Sequence, residues 1–403
     1  MNTAGTVKLR RAISLPWLVF YGVGVTIGAG IFALIGDVLR IAGDHAVWSF
    51  VVAGLVAAIT GYSYVLLAET YPKAAGEAVF VKEGMGWRMG QIVGFAIVAV
   101  AVTSSAVIAL AFARYLSVLV AMPQALSFVG VVVALSILAM AGVKESVVFA
   151  GFITLLEVGT LLVVVGANAH LLLDGATLAS TFSPPVSMVA WQVTFAGAFL
   201  AFFAFIGFED IENMAEETRD PHRTVPLAII LTLIISVAVY ALVAMVAAAH
   251  PHRASLIASK APLADMFASA TGRSGAVIAT MASIAMVNGV LVQIVMASRV
   301  LYGMAKEAMA PGWLGLLHES RQTPIAATLA VALAILSFGL TVPFLALAEA
   351  TSLVMLMVFG AVNLSLFLLG RRAGAAAPLR QRRCWGLFGA CVVFALIAVQ
   401  ILT

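Results

Sequence analysis

Stretches of about twenty uncharged, apolar residues recur from near Ser14 to the end of the chain, each long enough to cross a bilayer's hydrocarbon as a helix. No other feature limits the fold as severely. Inside hydrocarbon each unpaired amide or carbonyl costs several kcal/mol, so a spanning segment must satisfy its backbone internally, as a helix does. The expectation is an all-α polytopic membrane protein with about 11 transmembrane helices. Spans 1 to 11 are predicted near 14–40, 46–70, 89–121, 125–142, 146–173, 191–215, 225–249, 274–306, 324–341, 344–369 and 384–402. Composition agrees, with 63% of residues hydrophobic and 10% charged against about one quarter charged in soluble domains. The first stretch outruns a signal-peptide core and lacks a convincing cleavage site, so it reads as a retained span.

Charge placement orients the bundle. With the amino terminus in the cytoplasm, Lys8, Arg10 and Arg11 precede span 1, and the inner loops collect Lys73, Lys82, Arg88, Lys144, Arg219, Arg223, Lys306, Arg321, Arg371, Arg372, Arg380, Arg382 and Arg383. The outer side receives Arg40, Arg253, Lys260 and Arg273. This is the positive-inside pattern, which predicts a multi-pass protein of the plasma membrane, the inner membrane in a bacterium. The net charge of +4 belongs to those loops, so no nucleic-acid partner is expected. HExxH, GxSxG and Walker A motifs are missing, which argues against an enzyme or an ATP-driven pump and for an ion gradient as the energy source. Cys384 and Cys391 lie about 10 Å apart on one helix, too far to bridge, and read as small apolar residues. Neither a metal nor a cofactor is expected.

Two spans are interrupted. Span 1 contains "YGVGVTIGAGIFALIG", with Gly22, Gly24, Gly28, Gly30 and Gly36. At 1.5 Å per residue from Ser14, Gly28 lies about 20 Å deep, near the midplane. In span 6, "FFAFIGFEDIENMAEETRDPHRTVP" begins as oil and ends in acids, and counting from Trp191 puts residues 204–207 at a similar depth. Gly22 and Gly36 read as close-packing residues. Gly28, Gly30 and Gly207 read as breaks, because paired interruptions in corresponding members of two five-helix halves point to a transporter with inverted repeats. An unwound turn must line a cavity to keep its backbone satisfied, and the amides at a half-helix N-terminus suit a carboxylate.

These stretches, with "AETYPKAAGEAVFVKEGMG" after span 2, "GVKES" before span 5 and "ASRVLYGMAKEAMAP" closing span 8, together resemble the amino acid–polyamine–organocation family of permeases, in order across spans 1 through 10. The resemblance implies a LeuT-like fold of two inverted five-helix repeats, about 14–173 and 191–369, with an extra C-terminal span at 384–402. It also implies transport of amino acids or related amines by alternating access. The α-carboxylate and α-amino groups would be held by Thr26, Ile27, Gly28, Ala29 and Gly30 of span 1 and by Phe203, Ala204, Phe205, Ile206 and Gly207 of span 6. Phe203 falls where relatives place an aromatic that closes over substrate from outside, with Phe205 the neighbouring candidate. Glu216 and Arg299 are assigned to the gate.

Of the acids after the break, Glu209 lies inside the membrane and is read either as a clasp on the broken helix or as a gating or proton-linked group. Asp210, Glu212 and their neighbours are expected to be solvated or paired with Arg219, Arg223 or Arg299. Span 5 carries one carboxylate, Glu157, about 17 Å deep by the same count. Desolvation is expected to keep its protonated form accessible, so it is the candidate proton carrier, the alternative being a permanent hydrogen bond to the broken span 1. Some proton-coupled members of the family have lysine there; this chain departs from them. Sodium is the competing driver, but span 8 places Ala285 and Met286 where oxygen ligands would be sought, leaving Ser283. Thr103, Ser104, Ser105, Gln293, Thr351 and Ser352 are polar at mid-depth, and Asn288 is the strongest of this group as a substrate contact. A pocket otherwise of Ala, Val, Phe and Met suits a neutral side chain, bulky and apolar ones included, and with Glu157 as carrier the expectation is proton-coupled symport of neutral amino acids. The alternatives are a cationic amino acid or polyamine carrier, an exchanger, and a membrane sensor that binds without translocating.

Overall fold

The computed structural model describes residues 13–71, 76–142, 147–318, 321 and 323–402, without the side chains of residues 147–150, 176, 178, 213 and 216. Lys8, Arg10, Arg11, Lys73, Lys144 and the Glu216 side chain therefore lie outside the described residues.

Among the described residues the chain is helical with no strand. Eight segments are long and apolar enough to cross a membrane, the first of them, Leu15–Thr70, dividing at a 3-10 turn, Gly43–His45, into spans 1 (Leu15–Ala42) and 2 (Ala46–Thr70). Two shorter apolar helices, Gly151–Ala167 within span 5 and Ile325–Thr341, complete the predicted set. Span 3 is Trp87–Leu119, span 4 Gln124–Ala141, span 5 Val147–Ala167, span 7 Pro221–Ala248, span 8 Ala276–Lys306, span 9 Ile325–Thr341, span 10 Phe344–Gly370 and span 11 Ala377–Leu402. Span 6 starts at Met188, where the Ser187 hydroxyl accepts from the amide of Ala190 at 3.1 Å and so caps an end whose first amides have no helical partner.

Three boundaries depart furthest from expectation. Span 5 ends at Ala167 instead of 173, and a separate turn, His170–Leu173, follows. Span 7 begins at Pro221, the fixed φ of proline suiting a first helical turn. Span 11 begins at Ala377 and bends at Arg382, because its amphipathic first turns precede the apolar run that marked it in the sequence. A connecting helix, Gly76–Met85, absent from the prediction, packs between spans 3 and 10.

Span 1 is the hub. It touches spans 5, 6, 7 and 8, and its residues from Thr26 to Ile35 are all buried. Span 3 packs along span 8, and span 10 along span 11. A polar knot fixes the span 10 side: Asn363 Nδ2 donates to Thr60 Oγ1 at 2.9 Å, and the Ser63 hydroxyl donates to Asn363 Oδ1 at 2.6 Å. Buried and mutually satisfied, these groups set the register of spans 2 and 10.

Candidate functional site

The break in span 1 is one residue wide. Helical hydrogen bonding runs on both sides of Gly28, which alone takes non-helical angles (φ −18°, ψ −136°). Span 6 comes apart over a longer stretch. Its α-helix stops at Ala201, Phe202–Phe205 forms a 3-10 turn, Ile206 is extended (ψ 129°), and Gly207 sits at φ +124°. The segment beyond it, Phe208–Glu217, winds as 3-10 rather than α-helix. The unwinding expected over residues 26–30 thus narrows to Gly28, and the one expected over 204–207 widens in both directions.

The two breaks meet. A Cβ on Gly30 would stand 2.7 Å from the Cα of Ala204, and one on Gly207 would stand 2.8 Å from the carbonyl oxygen of Val25. Backbone cannot yield as a flexible side chain can, so glycine is required on both faces of this contact. Gly207 also holds a positive φ that L-residues rarely adopt. On span 7, the hydroxyl of Tyr240 lies 2.7 Å from the carbonyl oxygens of both Thr26 and Ala204 and donates its proton between them. Its ring is edge-on to Phe205, centroids 5.0 Å apart. The amide of Gly207 donates to Glu209 Oε2 at 2.9 Å, so Glu209 clasps the start of the inner half-helix, where an acceptor also meets the favourable end of the helix dipole.

A cavity of about 70 Å³ opens at this junction. Of the residues singled out from sequence, Thr26, Gly28, Ala29, Gly30, Phe203, Ile206, Asn288 and Glu157 line it, as do the mid-depth Ser104 and Gln293. Ile27, Ala204, Phe205 and Gly207 do not: Ile27, Ala204 and Phe205 are buried behind the wall, and Gly207 packs on Val25. Arg299 is exposed on span 8, away from the cavity, and pairs with no carboxylate among the described residues; Glu216, the other gate candidate, has an undescribed side chain. Ser283 is back-bonded to Ala279 at 2.7 Å.

Sequence reasoning missed Tyr21, Thr154 and Tyr240. The Thr154 hydroxyl donates to the carbonyl of Phe20 at 3.0 Å, tying span 5 to span 1 beside the cavity. Three buried oxygens on the cavity wall have no protein hydrogen-bond partner: Thr26 Oγ1, Glu157 Oε2 and Gln293 Oε1. Buried polar atoms are rarely left unmatched, so three at one junction mark a place where something with donors belongs.

A helical bundle that opens a small, acceptor-rich cavity where two interrupted helices touch has the architecture of a solute transporter. The sequence matches the amino acid permease family over residues 13–403, and the chain belongs to that family, within the amino acid–polyamine–organocation superfamily. It is 32% identical over 391 residues to an uncharacterized transporter of Mycobacterium tuberculosis, covering 96% of this chain and 86% of that one. It is 30% identical over 394 residues to the vacuolar cationic amino acid transporter 2 of Arabidopsis thaliana, covering 90% of this chain and 60% of that one. A branched-chain amino acid permease of Bacillus subtilis is 25% identical over 394 residues, 92% of this chain and 83% of the permease. The protein is thus an amino acid transporter of the membrane and not an enzyme.

Proposed function

We propose that this transporter carries neutral amino acids inward with protons, by alternating access in a LeuT-like arrangement of two inverted five-helix repeats, 14–173 and 191–369, with the amino terminus in the cytoplasm of a plasma membrane. The observation that carries the reading is the set of three partnerless oxygens, on Thr26, Glu157 and Gln293, around the Gly28 break. An α-ammonium group has three N–H donors, which meet those three acceptors, the Glu157 carboxyl oxygen accepting whether or not the group carries its proton. The α-carboxylate would take the amides freed at the kink after Gly28, as anions do at helix N-termini.

The walls are apolar, with Val25, Ile108, Ile153, Phe203 and Val292, which suits an uncharged side chain. At about 70 Å³ the space is about half of the ~150 Å³ cavity that admits benzene, so in this conformation it holds the zwitterionic head and a small side chain. A bulkier substrate requires movement of Phe203.

Glu157 is the proposed proton carrier. A buried carboxylate without a cation is costly, so Glu157 is proposed to hold its proton while substrate is bound and to release it after the substrate on the inner side. Sodium has little to bind, since the Ser283 hydroxyl is spent on its own helix. A second reading, a cationic substrate with Glu157 as counter-charge, draws on the Arabidopsis relative that is named as a cationic amino acid transporter.

Proteoliposomes under an imposed pH gradient test both. Accumulation of a small neutral amino acid, lost in Glu157→Gln while binding persists, is the expected result. Uptake restricted to lysine or arginine and indifferent to the pH gradient would overturn it.

A further inference from the structure

Glu212 is not where its sequence context places it. Expected to be solvated or paired with arginine, it is 1% exposed, and neither carboxyl oxygen has a hydrogen-bond partner. The correction has a local cause. The 3-10 winding of the inner half of span 6 turns this side chain inward, against the first residue of the connecting helix: a Cβ on Gly76 would lie 2.7 Å from Glu212 Oε2 and 3.2 Å from Oε1. The next residue, Glu77, is also buried; its Oε1 accepts from the Tyr64 hydroxyl at 3.3 Å. Burial pushes the Glu77 carboxyl above the ordinary carboxylate range, against the opposing pull of its hydrogen bonds.

Among the described residues nothing positive answers these two acids. The inner half of span 6 packs against spans 1, 2 and 7 and the connecting helix. Span 2 contributes Tyr64, and the connecting helix contributes Glu77, its Lys82 lying instead over the Trp87 ring at 5.1 Å. Span 7 contributes His222 and Arg223, both exposed, and span 1 contributes Tyr21 at the cavity. On the half-helix itself Glu209 is held by the amide of Gly207, and Asp210 is buried on the neighbouring residue. Two adjacent buried carboxylates cannot both stay charged without compensation. No metal-type cluster of His, Cys, Asp or Glu occurs among the described residues, which leaves a proton as the cation that fits.

We propose that Glu212, with Glu77 beside it, is a second proton-binding site, separate from the substrate cavity and on its cytoplasmic side. When the inner half of span 6 moves off the connecting helix, water reaches Glu212, its carboxyl O–H bond breaks, the proton passes to that water, and the carboxylate is left hydrated. The inference rests on the proton-coupled reading, and the experiment separates the two.

In proteoliposomes carrying wild type, substrate accumulation at a one-unit pH gradient tests coupling itself; accumulation without response to that gradient sinks the coupling reading and leaves Glu212 to the spectroscopy below. With coupling present, Glu212→Gln is expected to keep substrate exchange at equal pH and to accumulate about tenfold less, because each coupled proton contributes a factor of ten per pH unit. Equal accumulation in the variant and the wild type overturns the proposal. If E212Q does not fold, infrared pH-difference spectra of the wild type and Glu77→Gln decide. A protonated-carboxyl band present at neutral pH and shifted in E77Q is expected; a spectrum without such a band, or with one indifferent to Glu77, overturns it.

Discussion

The two interrupted helices solve the same problem in different ways. Span 1 gives up helical geometry at one residue, Gly28, and resumes at once, so its exposed backbone groups stay on a stiff frame. Span 6 loosens from Phe202 to Glu217 and is held by side chains, by its own Glu209 on the amide of Gly207 and, from span 7, by the Tyr240 hydroxyl on the carbonyl of Ala204. Runs of 3-10 helix beyond three or four residues are uncommon, and inside a helix such a stretch often marks a hinge. In the proposed transport cycle this difference would make span 1 the gripping helix and span 6 the moving one. At the end that carries residue 13 the moving half is also latched: the amide of Ile13 donates to the carbonyl of Glu217 at 3.0 Å, and the amide of Arg219 to the carbonyl of Ile13 at 2.9 Å.

The largest contrast is expected between the two glycines at the breaks. At Gly207 an alanine meets a φ of +124° and the carbonyl of Val25 at 2.8 Å, so backbone strain of about 1–3 kcal/mol adds to an unyielding clash. Gly207→Ala should remove most folded protein, read as lost monodisperse material in detergent and a large drop in the thermal unfolding temperature. At Gly28 an added Cβ meets nothing within 4 Å, but the residue lines the cavity. Gly28→Ala should therefore fold normally and weaken substrate binding. Equal damage from both changes would mean that the breaks do not differ in kind.

Tyr240→Phe comes next. It keeps the ring against Phe205 and Phe50 and removes the one hydroxyl shared by the carbonyls of Thr26 and Ala204. Leaving a buried carbonyl unsatisfied costs about 1–3 kcal/mol, so unfolding should shift down by several degrees and transport should slow. An unchanged unfolding temperature together with unchanged transport would show that span 7 does not couple the two breaks.

What could be foreseen of this junction followed from residue types that have few uses in hydrocarbon. Glycine inside an apolar run and a carboxylate far from the ends of an apolar span each violate a local rule, which makes Gly28, Gly207 and Glu157 legible in the sequence. Tyr240 violates nothing; a tyrosine on an apolar span reads as packing until its hydroxyl is seen between two carbonyls. Glu212 was misread for the opposite reason. Acids grouped near Arg219 and Arg223 have the look of a solvated face, and only the 3-10 winding turns this one inward. Helix periodicity cannot reveal that, since the choice between 3-10 and α over ten residues is made by tertiary contacts and not by propensity.

The smallest effect separates a clasp from a carrier at Glu209. Its oxygen accepts one hydrogen bond, from the amide of Gly207, and span 1 has no comparable side chain at Gly28. Glutamine preserves an acceptor at the same reach, whereas alanine removes it. Glu209→Ala should cost about 1 kcal/mol, as the loss of a helix cap does, while Glu209→Gln should stay within a few tenths. Both should leave the pH dependence of accumulation as in wild type, because the clasp requires an acceptor and not a proton. If Glu209→Gln instead abolished gradient-driven accumulation while exchange at equal pH continued, span 6 would carry the coupling proton at its own break, and the division into a gripping helix and a moving helix would have to be redrawn with charge on the moving one.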